Sequence, residues 1–350
     1  MTGRGIDQIL PYPSNPRIHE LYVKDAREYI EIAEAKNGPI PRSVNFDYIW
    51  GAALKHLTKF APDLRIINLE TTITSSEDFW RGKGINYRMN PKNISCITSA
   101  KIDCCSLANN HILDWGYSGL RETLQTLEHV GISYAGAGQN IREAQAPAFL
   151  QVGKIRVLLF SFGSQSSGIP PNWTGTGINL IDEQSPDDIQ SIVRMVKNAK
   201  QENSIVVASI HWGPNWGYEV TEEQHLFAHK LIDEAGVDLI HGHSSHHPKG
   251  MEVYKNRLIL YGCGDFLNDY EGIASYESFR GDLGLMYFAS LEETGALSSL
   301  QMVPTQIKHF KVNNTSMQDQ KWLRKVLDRE CEKLGCHVEF SQGFLTLKWS

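Results

Sequence analysis

No stretch of this 350-residue chain approaches the ~20 consecutive apolar residues that a membrane-spanning helix needs. The longest apolar runs, residues 157–162 and 205–210, have the length of strands. A basic-then-apolar leader pattern is also missing at the start, so a cytoplasmic product is expected. Basic residues are not in excess: Lys and Arg total 34 against 40 Asp and Glu, a net charge of −6. Nonspecific nucleic-acid binding needs a basic surface, so no nucleic-acid partner is expected. Cysteine is sparse. Cys96, Cys104, Cys105, Cys263, Cys331 and Cys336 form no C-x-x-C pair and no regular spacing, which points away from a zinc knuckle and toward buried reduced thiols. Internal repeats and low-complexity tracts are absent as well. What remains is an ordinary globular composition, 41% hydrophobic and 21% charged.

Within that composition, short Val/Ile/Leu-rich runs recur at residues 64–69, 102–108, 132–135, 156–162, 205–210, 237–241, 258–261 and 285–289. Continuous apolar runs of this length suit strands covered on both faces. Cys104 and Cys105, adjacent in one such run, should then face opposite sides of a strand. Helical spacing of apolar residues lies between the runs, over 17–36, 46–60, 118–130, 221–235 and 316–334. The helix at 221 opens on Thr221 and Gln224, a capping box, and should stop at Gly236. Alternation of this kind predicts an α/β fold, a layered sandwich. The Gly/Pro/Ser-rich stretch 163–177 reads as a long loop within one domain. The expected organisation is a catalytic domain over 1–304 and a helix–strand extension over 305–350.

Chemistry concentrates where these strands end. Directly after an apolar run come His241, His243, His246 and His247, four imidazoles in seven residues beside the turn-permitting Gly242. Imidazole is a favoured ligand of Zn, Mn and Fe, and α/β sheets place their sites at strand C-termini. Three more strand ends carry similar groups. Asn68, inside the 64–69 run, and Glu70, just after it, share one face; Asn109, Asn110, His111 and Asp114 follow 102–108; His211 and Trp212 follow 205–210. Amide oxygen, carboxylate and imidazole together match a two-metal site of mixed ligands, in which a bridging carboxylate holds two cations ~3.5–4 Å apart.

The motifs N-L-E-T-T, A-N-N-H-x-x-D-x-G, H-W-G, G-H-x-x-H and L-I-L-Y-G-C-G-D-F, in that order, resemble the CapA-type poly-γ-glutamate capsule biosynthesis family. That family is a branch of the calcineurin-like metallophosphoesterase fold, and the resemblance runs from Met1 to about residue 290. It implies a four-layer α/β/β/α sandwich with a dinuclear centre between the sheets, holding two divalent ions (Mn, Fe or Zn). Carried over by position, Glu70 matches the bridging carboxylate and Asn110 the amide ligand. His211, with His243 or His246, matches the imidazole ligands, and His241 stays in the set. His111, oriented by Asp114, matches the proton-transfer histidine. Asp265, nearest the strand end after Tyr261, is a further catalytic candidate.

The sequence departs from the family pattern in three ways. The histidine loop reads H-G-H-S-S-H-H where the wider fold has G-H-x-H, so the ligand assignment among its imidazoles stays open. No membrane anchor, frequent in the family, is expected in this chain. Lastly, the family's first strand ends in Gly-Asp just before a segment like Met1–Gly5; an additional upstream strand ending in that aspartate is therefore expected. Asp7, beyond the turn, is not expected to replace it.

The resemblance implies a protein that makes or handles an anionic polyglutamyl polymer or peptide in capsule or cell-wall synthesis, compatible with association with envelope-synthesis machinery. The leading expectation is a hydrolase-like metal site. One alternative is a metal-dependent peptide-modifying enzyme such as an epimerase, with Cys263, His111 or Asp265 as bases. Another is a non-catalytic accessory protein that binds polymer. Among the remaining residues, Trp212, Trp216 and Tyr218 could form an aromatic wall or a packed loop. Arg81, Lys83 and Arg88 could bind an anion or be solvated, and His225 and His229 are expected on a solvated helix face.

Overall fold

The computed structural model describes residues 1–173, 177–273, 276–341 and 343–349, so positions 174–176 of the long loop lie outside the described residues. The chain opens with α1 (Gly5–Ile9), α2 (Glu28–Asn37) and α3 (Ala53–Phe60). Both early helices are shorter than their apolar spacing predicts. Residues 17–25 are drawn into an antiparallel bridge between Arg17 and Asp25, so α2 begins only at Glu28. The 46–60 helix is broken at Gly51, which takes a left-handed φ of 44° and lies so close to the Val312 carbonyl that a Cβ would sit 2.2 Å from its oxygen. Only glycine fits there.

Next come β1 (Ile66–Asn68), β2 (Thr72–Ile73), β3 (Arg88–Met89), α4 (Ser95–Thr98), β4 (Cys104–Ser106), α5 (Gly116–His129) and β5 (Ser133–Ala135). The strands β1, β4 and β5 form a three-stranded parallel sheet. Its two faces enter different cores. Cys104 faces Val157, Leu159, Ile205 and Val207, whereas Cys105 packs with Leu57 of α3 and with Leu120, Leu124 and Leu127 of α5. The adjacent cysteines do face opposite sides, and burying each of these leucines stabilises the fold by roughly 1.5–3 kcal/mol.

After α6 (Ile141–Gln145), the chain builds its largest sheet from β6 (Ala148–Val152), β7 (Ile155–Ser164), β8 (Leu180–Ile181), β9 (Ser204–His211), β10 (Leu239–His243), β11 (Met251–Tyr254) and β12 (Arg257–Leu260). Between its strands run α7 (Pro186–Ala199) and α8 (Glu222–Lys230), the latter continued by a wide π turn over Leu231–Ala235. The capping box at Thr221 forms as predicted. Val206, Ala208, Ile210 and Ile240 face α7 and α8, burying Ile192, Val196, Phe227 and Leu231. Alternation then turns Ser209, His211, His241 and His243 to the other face, toward the three-stranded sheet.

The chain ends in β13 (Leu283–Leu291), β14 (Leu297–Ile307), β15 (Val312–Asn314), α9 (Met317–Glu332), β16 (Cys336–Ser341) and β17 (Phe344–Trp349). These strands make one antiparallel sheet in the order β13-β14-β17-β16, with β15 on β14. β14 crosses position 305 unbroken, and Leu323 and Leu327 of α9 share a core with Leu283, Leu285, Leu258 and Leu260. No helix among the described residues is long and apolar enough to cross a membrane.

Candidate metal centre

The polar groups gather between the sheets, at the C-terminal ends of β1, β4, β9 and β10. β9 and β10 run parallel with His211 opposite His243 and Ser209 opposite His241. Gly242 between them has no room for a side chain: a Cβ would lie 2.4 Å from the Leu260 oxygen. The chain leaves β10 at Ser244 with φ 107°, a conformation that strains an L-residue, and the Ser244 hydroxyl donates to the Gly213 carbonyl at 2.9 Å.

His211 and His243 form the first of three pairs, with their Nδ1 atoms 2.8 Å apart. His243 Nε2 is held by the Ser209 hydroxyl at 3.0 Å and the Ser106 hydroxyl at 3.4 Å, and Ser106 in turn meets Ser161 at 2.7 Å. His241 stands beside His243, its Nδ1 2.9 Å from the same Ser209 oxygen. Of these serines, Ser209 alternates with His211 along β9, whereas Ser106 on β4 and Ser161 on β7 come from other strands and carry no such local signal.

The second pair joins Glu70 and His111, whose Oε1 and Nε2 are 3.9 Å apart. His111 Nδ1 lies 2.7 Å from Asp114 Oδ2 and 2.8 Å from the Lys83 ammonium, which also bonds Asp114. Asp114 further accepts from the Tyr87 N–H at 2.5 Å. Burial, followed by the Lys83 charge, holds the His111 imidazole well below its usual range. Burial pushes the Asp114 carboxyl up to about 7, with Lys83 pulling it back. Lys83 thus serves the His111–Asp114 pair, while Arg88 is buried on Trp115 and bonds Ser76, Glu77 and Asn15. Arg81 stays exposed.

The third pair is His246 and Asp265, with Nδ1 and Oδ1 3.1 Å apart; Asn268 donates to the other Asp265 oxygen at 2.8 Å. Glu70 ties the pairs together electrostatically. Burial pushes its carboxyl up to about 7; the charge of His246 pulls it down, that of Asp265 pushes it up, and Lys83 pulls it down further. Asn68 orients Glu70 by donating to Oε2 at 2.9 Å, and Asn109 bridges Asn68 to the Leu69 carbonyl.

Two buried atoms here have no hydrogen-bond partner: Asn110 Oδ1 and His211 Nε2. Both can serve as metal donors, and an unpartnered buried polar atom costs about 1–3 kcal/mol, so the donor set fits a cation. Carboxylate and imidazole atoms come here in pairs. Sets of three within 4.8 Å of one another occur, among the described residues, at His225, His229 and Glu252 and at Asp328, Glu332 and His337.

The other candidates fall elsewhere. His247 is ringed by Trp216, Tyr218 and Phe279 and accepts from the Gly217 N–H at 3.2 Å. Trp212 is core, donating to the Tyr261 carbonyl at 2.9 Å, whereas Trp216 stands 5.4 Å from His246. The Cys263 side chain packs on the apolar core under α9, and burial raises its thiol pKa. Asp7 is buried among Ser14, Asn90 and Asn93. Asp269 holds Arg4, which also bonds Glu20 and Tyr29. His225 and His229 are not simply solvated: both lie against Glu252.

Sheets that end in paired imidazoles, a buried glutamate and an unpartnered amide define an α/β protein with a polar cluster of metal-ligand chemistry between its sheets. The model of the bacterial capsule synthesis protein family PGA_cap matches residues 1–270, and the chain belongs to that family. It is 42% identical over 345 residues to a probable polyglutamine synthesis accessory protein of Mycobacterium tuberculosis, covering 97% of this chain and 90% of that one. The capsule biosynthesis protein CapA of Bacillus anthracis is 26% identical over 190 residues, 53% of this chain and 45% of its own. The PGA biosynthesis protein CapA of Bacillus subtilis is 26% identical over 205 residues, 58% and 52% respectively.

Proposed function

We propose that this chain acts in polyglutamate or polyglutamine synthesis for a capsule or cell wall, through a dinuclear divalent-metal centre that handles an anionic polyglutamyl polymer or peptide. The observation that carries the reading is the pair of unpartnered buried donors, Asn110 Oδ1 and His211 Nε2, beside a glutamate whose proton affinity burial has raised. Glu70, Asn110, His211, His243 and His246 would hold the ions, with His241 and Ser209 fixing the orientation of His243. When bound, such a pair supplies a Lewis acid for a carbonyl or phosphoryl oxygen and an acidified water.

The chain's own groups have separate tasks. His111 is kept neutral by burial and fixed through Nδ1, so Nε2 can exchange a proton with a group lying toward Glu70. Asp114, accepting from Nδ1–H, is the positioning residue that sets the tautomer leaving Nε2 free, and Lys83 holds Asp114 in place. Asp265 orients His246. We further propose that α7/α8, the large sheet, the facing sheets and α3/α5 stack as a four-layer α/β/β/α sandwich of the metallophosphoesterase type. Residues 1–304 would be its body, and 305–350 an extension completing its antiparallel sheet.

A purely accessory role is the second reading, favoured by the name of the mycobacterial relative. Polymer binding and polymer turnover, each measured with and without a chelator, separate the two. Loss of turnover on chelation supports the metal enzyme; unchanged polymer binding with no turnover in either state supports the accessory role.

A further inference from the structure

We propose that His225, His229 and Glu252 form a second divalent-metal site, of zinc-binding chemistry, on the outer face of the large sheet and separate from the centre between the sheets. His225 and His229 are four residues apart on α8, so their rings project from one face. Glu252 lies on β11 opposite Ile259 of β12. Ile259 belongs to the core under α7 and α8, so Glu252 points to the helix side, away from His241 and His243. The sheet itself separates the two sets of ligands.

The geometry is that of a preassembled three-ligand site. His229 Nε2 is 2.8 Å from Glu252 Oε1, His225 Nε2 is 3.4 Å from Oε2, and all three ligand atoms fall within 4.8 Å of one another. Ligands about 2.0–2.2 Å from one tetrahedral zinc stand ~3.4 Å apart, so small rotamer shifts suffice. Two imidazoles and one carboxylate leave a fourth position for water.

Outer contacts hold the ligands in place. Tyr261 donates to Glu252 Oε2 at 2.7 Å, and Tyr254 stacks on the His229 ring at 3.6 Å. Such partners orient metal ligands and fix their basicity. The His225 and His229 side chains are 37% and 19% exposed, which leaves an entry path, while Glu252 is 9% exposed. A hydrogen bond between Glu252 and His229 alone would not require His225 to turn its Nε2 to the same carboxylate. A bound ion would clip α8 to the β11–β12 hairpin.

The test is metal stoichiometry of the full chain, stripped with chelator and dialysed against Co²⁺ or Zn²⁺. H211A/H243A, which disrupts the inner centre, should still bind one ion, with the visible absorption of four-coordinate Co²⁺. Adding H229A or E252Q to that variant should remove that equivalent and its absorption, and either change alone in the wild type should lower the stoichiometry by one. Unchanged stoichiometry in H229A and E252Q overturns the proposal. Anomalous diffraction from zinc-soaked wild-type crystals keeps it testable should a variant misfold. A peak contacting His225, His229 and Glu252 supports the site, and no peak there overturns it.

Discussion

The Nδ1 atoms of His211 and His243 lie 2.8 Å apart across two parallel strands, in register at the strand ends. Two lone pairs cannot face each other at that distance, so either one ring carries its proton on Nδ1 or a cation takes both pairs. His243 is already tied through Nε2 to Ser209, and His211 Nε2 is buried without a partner. His211 Nε2 is thus the free donor of the pair, the atom on which the proposed centre rests.

Histidine substitutions should sort accordingly. H211A, H243A and H246A are each expected to lower the metal content of the inner centre, measured by elemental analysis in an E252Q background. H247A should leave it unchanged, because His247 faces Trp216, Tyr218 and Phe279. Equal losses across all four positions would count against this ligand set.

Asp114 is the counter-ion of buried Lys83. D114A should destabilise the protein by about 3–5 kcal/mol in urea unfolding, because it leaves a buried ammonium uncompensated. K83M/D114N should recover much of that loss. Additive losses in the double variant would show that the pair is not coupled.

Arg4 is buried against Asp269 and Glu20, with its guanidinium 3.9 Å from the Tyr29 ring centre and 4.3 Å from that of Tyr87. R4A should cost on the order of 3–5 kcal/mol by leaving two carboxylates unpaired. R4K should restore only part of this, since an ammonium cannot make the two-pronged contact with Asp269 or stack between rings. Full rescue by lysine would reduce the site to simple charge balance.

The strand ends were legible because alternation is local: His241 and His243, or Asn68 and Glu70, must share a face. The capping box at Thr221 was legible for the same reason. α7 is not among the expected helices although its signals are local: Ser185 caps it, and Ile189, Ile192, Val193 and Val196 carry its apolar stripe. β14 was harder, since Gln301, Pro304, Thr305 and Gln306 interrupt its apolar run, although its neighbours β13 and β15 supply most of its partners and only β17 is distant. Lys83 could not be assigned to Asp114 from sequence, because the contact joins two loops. His225 and His229 looked solvated until β11, unrecognised as a strand, brought Glu252 beneath them.

Burial holds the His247 imidazole down to about 4. An unfolded-chain histidine titrates near ~6.5, so between these values the unfolded state binds the extra proton. The His247 contribution is intact above that range and declines as pH falls toward the lower value, by up to about 3 kcal/mol. The stability of wild type relative to H247N should therefore fall by about 2–3 kcal/mol from pH 7 to pH 4.5. A difference that does not change with pH would contradict the assignment.

The most direct measurement is anomalous diffraction from crystals of the protein prepared with Mn²⁺. Two peaks a few ångströms apart are expected between the sheets, contacted by Glu70, Asn110, His211, His243 and His246. Absence of anomalous density among those residues, with metal fully available, would contradict it.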